Sequence, residues 1–255
     1  MSEEGKLRLG GMALANGLLV HGPTHWAAAV RTREGGIAVA SGAKPRWRGR
    51  GPQIPGLRGL AGLGEALAVI PRVRRALPEA RLPFESTGVV VAGALSAAGA
   101  TALRRRGSEA SALALSLVPS LVALSTGDVA AYHGAEHKTI GAYETGTEDH
   151  TKEHDRCGSH LMAPLLAANL AGAALLRRAA VKPGPAVSGA VSLASMGAAI
   201  EVFAWSERHA GTRTARALRR PGHELQRLLG TREPTTAQLE VGRAALDEIL
   251  RVEQA

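Results

Sequence analysis

Cysteine and aromatic side chains are nearly absent from this chain. One cysteine, Cys157, stands among 255 residues. An internal disulfide framework is therefore excluded, and a reducing compartment is expected. Trp, Tyr and Phe number three, two and two. The stacking platforms of single-stranded nucleic-acid binders are lacking, and no nucleic-acid motif accompanies the arginines, so no nucleic-acid partner is expected. The core must be built from Ala, Leu and Val. The opening MSEEGKLRLGG has no apolar run, so no cleavable signal peptide is expected. Acidic residues are also few: 22 Asp and Glu stand against 31 Lys and Arg, a net charge of +9 with a pI near 10.7. That balance favours anionic partners, among them lipid headgroups and phosphorylated substrates.

Five segments can be read around a sixth. Residues 1–42 form a small β unit, with a hairpin whose turn is Arg33-Glu34-Gly35-Gly36. The apolar run Ala13 to Val20 reads as one strand of it. Residues 43–86 are a Pro-, Gly- and Arg-rich connector followed by a helix from Leu57 to Ile70, which Pro71 ends. Trp47 in the connector suits a membrane interface. Residues 87–126 and 159–205 each hold a pair of apolar stretches: Thr87 to Leu103 and Ala110 to Thr126, then Ser159 to Leu176 and Ala186 to Ala204. Each is close to the ~20 residues a bilayer-crossing helix needs. Arg104-Arg105-Arg106 closes the first helix, and Arg177, Arg178 and Lys182 occupy the second connection. The same pattern fits core helices of a soluble bundle, because Ala, Gly and Ser drive insertion weakly. Residues 206–255 are a basic tail ending in an amphipathic helix, started by a capping box of Thr235 and Gln238. The fold class expected is mainly α: a polytopic helical membrane bundle of about four apolar helices in two hairpins, a β-hairpin unit before it and the amphipathic helix after it.

Residues 127–158 carry the chemistry. Five of the nine histidines lie between His133 and His160, with Cys157 and both tyrosines close by or among them. His133-Gly-Ala-Glu136-His137 has the form H-x-x-E-H, the residue order of the inverzincin metallopeptidases. On a helix, positions four apart share a face, so both imidazoles reach one divalent ion, with zinc expected from the donor types. Glu136 is placed to act as general base on a water whose pKa a divalent metal lowers toward ~7. A third ligand is required. His154 and Cys157, spaced H-x-x-C beside Arg156 and Gly158, rank first, because a tight electropositive turn favours a thiolate. Glu144, His150 and His160 are further options; His150 reads as an exposed loop histidine. Glu201, within the fourth apolar stretch, needs a partner, with Arg208, Lys138 and the metal site as candidates.

These residues resemble the YqhQ family of uncharacterised bacterial, predicted metal-dependent membrane proteins. Gly10-Gly11 through Gly22-Pro23, Pro55 to Gly59, Tyr132 to Glu144, His154 to Ser159, Pro221 through Gln226, Thr231 to Pro234 and Leu239-Glu240-Val241 are similar to its blocks. Asn16 stands where that family usually has an acid, His21 where it has an arginine, and Asp155 where it has a proline. The resemblance implies a protein of the bacterial cytoplasmic membrane with its motifs facing the cytoplasm. Two functions follow as expectations. One is a metal-dependent hydrolase with His133, His137 and His154 or Cys157 on zinc, Glu136 activating water, and Lys138 or Arg156 stabilising an oxyanion. The other is a membrane regulator or assembly factor with a closed structural site of His133, His137, His154 and Cys157.

Overall fold

The computed structural model describes residues 6–47, 54–125, 127–147, 149–181 and 184–255. Residues 1–5, the connector residues 48–53, Thr126, Glu148, Lys182 and Pro183 lie outside the described residues.

Four strands form one antiparallel meander: β1 (Gly10–Leu14), β2 (Gly17–His21), β3 (His25–Arg31) and β4 (Ile37–Ala43), in that order across the sheet. The run from Ala13 to Val20 is two strands, not one. Asn16 makes the difference. Its amide donates to the carbonyls of Arg31 and Glu79 at 2.9 and 3.1 Å and accepts the Arg81 N–H at 2.9 Å, which pins a two-residue turn. The second turn falls where its glycines indicated, with Gly35 at φ +86°. The unit is thus a four-stranded sheet rather than a hairpin. Its strands read as nearly continuous apolar runs because both faces are covered. Ala13, Leu18, Val20, Ala27 and Ala29 meet helices α6 (Val129–Thr145) and α10 (Thr236–Glu253). Leu14, Leu19, Trp26, Ala28 and Val30 meet Val69 and Val73, at the junction of α1 (Leu57–Leu67) and α2 (Ile70–Ala76). Pro71 does not end a helix here; it opens α2, where its missing N–H costs nothing.

The apolar helices are α3 (Thr87–Arg105), α4 (Glu109–Ser116), α5 (Val118–Ser125), α7 (Met162–Arg178) and α8 (Pro185–Arg208). Three helices are long and apolar enough to cross a membrane: Thr87–Arg105, Gly158–Arg178 (which includes the short turn before α7) and Ala186–Arg208. Large side chains on them face outward, among them Leu95, Leu175 and Leu193, each more than 60% exposed. The second apolar stretch is broken between α4 and α5. Pro119 has no N–H to donate, and its ring crowds the carbonyl of Leu115, four residues back.

The part of the basic tail before Arg232 holds α9 (Arg213–Leu225) and a π turn, Gln226–Gly230. Thr212 caps α9 by accepting the Ala215 N–H, and Pro221 is accommodated inside it. The capping box at the start of α10 is present as read, with Thr235 and Gln238 bonded reciprocally. Two ion pairs tie these parts to α8. Arg8 reaches both carboxylate oxygens of Glu207 at 2.8 Å. Glu201 takes Arg58 at 2.9 Å and the Gly56 N–H at 2.8 Å, so its partner is none of the three candidates named from sequence.

Candidate metal centre

Helix α6 carries most of the site. It begins at Val129 and ends where Gly146 turns left-handed at φ +75°. Its apolar residues pack on the sheet and on α10, so eleven of its seventeen residues are buried. Gly134 permits that packing. A Cβ there would run into the carbonyl of Arg232, which follows the π turn. This close approach delivers the Gly230 carbonyl to His133, whose Nδ1 lies 2.8 Å from it. His137 Nδ1 lies 2.6 Å from the Lys152 carbonyl. A carbonyl only accepts, so each ring donates from Nδ1, and a neutral ring held this way presents Nε2 as its acceptor. Ligating histidines are typically oriented this way. The ring centroids of His133 and His137 are 4.3 Å apart.

The residue that joins the two histidines comes from the loop. Cys157 Sγ is 3.4 Å from His133 Nε2. One ligand atom from each of His133, His137 and Cys157 lies within 4.8 Å of the other two. His154 is not in that group of three among the described residues. Its Nδ1 accepts the Arg156 N–H at 3.3 Å, and its Nε2 donates to Glu144 at 3.1 Å. The ring lies tilted beside His137 with centroids 5.5 Å apart. Glu144 also takes the Arg156 guanidinium, which bonds the Leu9 carbonyl as well. Arg156 is thus neutralised by Glu144, and burial pushes the Cys157 thiol up. The expectation that an electropositive turn lowers it is corrected: in this setting a bound cation is what would deprotonate the sulfur.

Glu136 lies on the same face. Only 6% of it is exposed, and its Oε2 has no hydrogen-bond partner among the described residues. Burial pushes its pKa up to about 7; His133 counteracts this and Cys157 adds to it. Burial, followed by His133, holds His137 down to about 2, so it stays a neutral ligand. Gly11 of β1 leaves room for the Glu136 carboxylate, which a Cβ would overlap. These groups line a cavity of about 470 Å³, walled by Leu9, Met12, Leu124 and Ile140 among others.

Lys138 is not among the described residues lining that cavity. One position past His137 turns it about 100° around the helix, and it pairs with Glu233 at 2.9 Å and Asp149 at 3.5 Å. An oxyanion role for it does not fit this placement; Arg156 does line the cavity. His150 is half-buried against Gly141. His160 is buried and bonded through Nδ1 to the Arg219 carbonyl. Sequence reasoning missed Gln226. Fully buried, it accepts the His154 N–H at 2.8 Å and donates to Ser159 Oγ at 2.8 Å and the His154 carbonyl at 3.2 Å. It clamps the loop that brings Cys157 to the histidines. An amide inside an Arg- and Leu-rich run gave no sign of burial except its place in a spaced motif block.

A small sheet, a set of apolar helices and a buried cluster of two imidazoles, a thiol and a carboxyl therefore define the class. Residues 120–252 match the family model described as protein of unknown function (DUF1385), just over half of the chain, and the chain belongs to that family. Every residue of the cluster falls within the match. No curated protein matches the chain, and no solved structure does.

Proposed function

We propose that this chain is a membrane-embedded metal-dependent hydrolase, with His133, His137 and Cys157 as ligands of a divalent ion, zinc by donor type. The observation that carries the reading is the Glu136 carboxyl, buried and unpartnered at Oε2 beside three convergent donors. The donor set fits such an ion on its own terms: two neutral imidazoles with Nε2 free and one sulfur. Three protein donors leave a coordination position open, as catalytic zinc requires. When bound, the ion supplies Lewis acidity and lowers the pKa of a water toward ~7.

The chain's own residues do the rest. Glu136 takes a proton from water as its oxygen bonds to the acyl carbon. The bond from that carbon to the leaving atom breaks, and Glu136 returns the proton to the leaving atom. The Leu9, Met12, Leu124 and Ile140 walls hold the substrate and exclude bulk water. The three apolar helices support a place in the bacterial cytoplasmic membrane, with the sheet and the site on the cytoplasmic side and anionic headgroups met by the basic connector.

Glu136→Gln tests this. The variant is expected to keep its metal while turnover of an acyl ester or a quenched-fluorescence peptide falls roughly 10²–10⁴-fold. Equal turnover with equal metal content would assign the ion a structural role, as in a regulator or assembly factor.

A further inference from the structure

The nature of the acyl bond is addressed by the edge of the sheet. β1 is an outer strand, bonded to β2 on one side. The two-residue turn makes Leu14 and Gly17 a hydrogen-bonded pair, so residues 10, 12 and 14 bond to β2 and the backbone groups of 9, 11 and 13 point away from it. The far side of β2 keeps this phase: the Gly22 N–H donates to the His25 carbonyl at 2.9 Å. Outward groups nearer the start of the chain have partners. The Leu7 N–H donates to Tyr143 Oη at 2.9 Å, and the Leu9 carbonyl accepts from Arg156 at 3.0 Å. The next two, at Gly11 and Ala13, belong to the stretch that lines the cavity holding His133 and Glu136. Gly11 is exposed, with the Glu136 carboxylate against it, and Ala13 is buried at the inner end of the same stretch.

We propose that this edge binds an extended peptide, which adds to β1 along Gly11–Ala13 and passes across Glu136. The cleavage of that peptide, but not its binding, rests on the hydrolase reading above. A peptide presents an N–H and a carbonyl at each second residue, the repeat that Gly11 and Ala13 present. An ester or a lipid acyl chain has no N–H for the outward carbonyls. Leu9, Met12, Leu124 and Ile140 favour apolar side chains on the bound segment. In the reaction the water oxygen bonds to the peptide carbonyl carbon, the C–N bond breaks, and the water proton passes through Glu136 to the departing amine.

The test uses the full chain carrying Glu136→Gln, in detergent micelles, and a capped hexapeptide of alternating Leu and Ala. Binding is expected to slow amide exchange at Gly11 and Ala13 at least tenfold. Replacing the peptide's amides by esters is expected to weaken binding roughly fivefold to tenfold for each hydrogen bond lost. Ala13→Pro, which removes an outward N–H and spares the bonds to β2, should weaken it similarly. Unchanged exchange at both amides, or ester and amide probes of equal affinity, would overturn the proposal. Protection by the peptide without its cleavage by the native chain would sink the hydrolase reading and leave this one standing. Ester cleavage without protection would do the reverse.

Discussion

Two backbone carbonyls, of Gly230 and Lys152, determine what His133 and His137 present to the cavity. Neither belongs to the H-x-x-E-H motif, and neither is visible in its letters. The motif places both rings on one face because helical positions four apart align, and that much could be read from sequence. The choice between His154 and Cys157 could not, because it turns on Glu144. That carboxylate, two turns beyond His137, captures His154 and Arg156 together and leaves the sulfur to face His133. Gln226 carries the loop's position. Its replacement by Ala removes three hydrogen bonds in a buried place. Gln226→Ala is expected to lower unfolding stability by about 2 kcal/mol or more and to weaken metal retention, read by denaturant titration and metal analysis of the same preparation.

Elements meet at this site through close approaches. α6 sits close to β1 because Gly11 carries no side chain, and the segment at Arg232 closes on α6 because Gly134 carries none. α10 covers the same sheet face, and Glu253 at its end accepts the N–H groups of Thr24 and His25 at 2.7 Å. The Gly35 turn and the Thr235 cap were legible because each is decided by neighbours in sequence. The Asn16 turn was not, since its partners Glu79 and Arg81 lie far along the chain. α9 was hidden by Pro221-Gly222, which reads as a break until the packing of His160 on Gly222 is known. The sheet also carries a pH response. Burial, and then Lys44, lowers the pKa of His21 to about 4. Below pH ~6.5 the unfolded chain takes a proton at His21 that the folded chain refuses, so this residue's contribution to folding stability falls between about 6.5 and 4 and then levels. His21→Asn is expected to flatten that interval in thermal melts taken across pH. An unchanged slope would remove His21 as its cause.

At the scale of the whole molecule, an apolar bundle carries a basic, sheet-based layer. Arg8–Glu207 and Arg58–Glu201 fasten the layer to α8. The cavity lies where the layers meet, with Ala123 and Leu124 of α5 on one wall and β1 on another. Length and composition made the apolar helices legible; the destination of Glu201 depended on packing. The outward apolar faces predict that the chain stays with the membrane pellet after an alkaline carbonate wash, whereas release into the supernatant would mean a soluble bundle. The account stands or falls on the shared cation. Cobalt(II) added to the purified chain is expected to give a sulfur-to-metal charge-transfer band in the near ultraviolet. That band should vanish in Cys157→Ala and persist in His154→Ala. No cobalt uptake, or a band that survives Cys157→Ala, would contradict it.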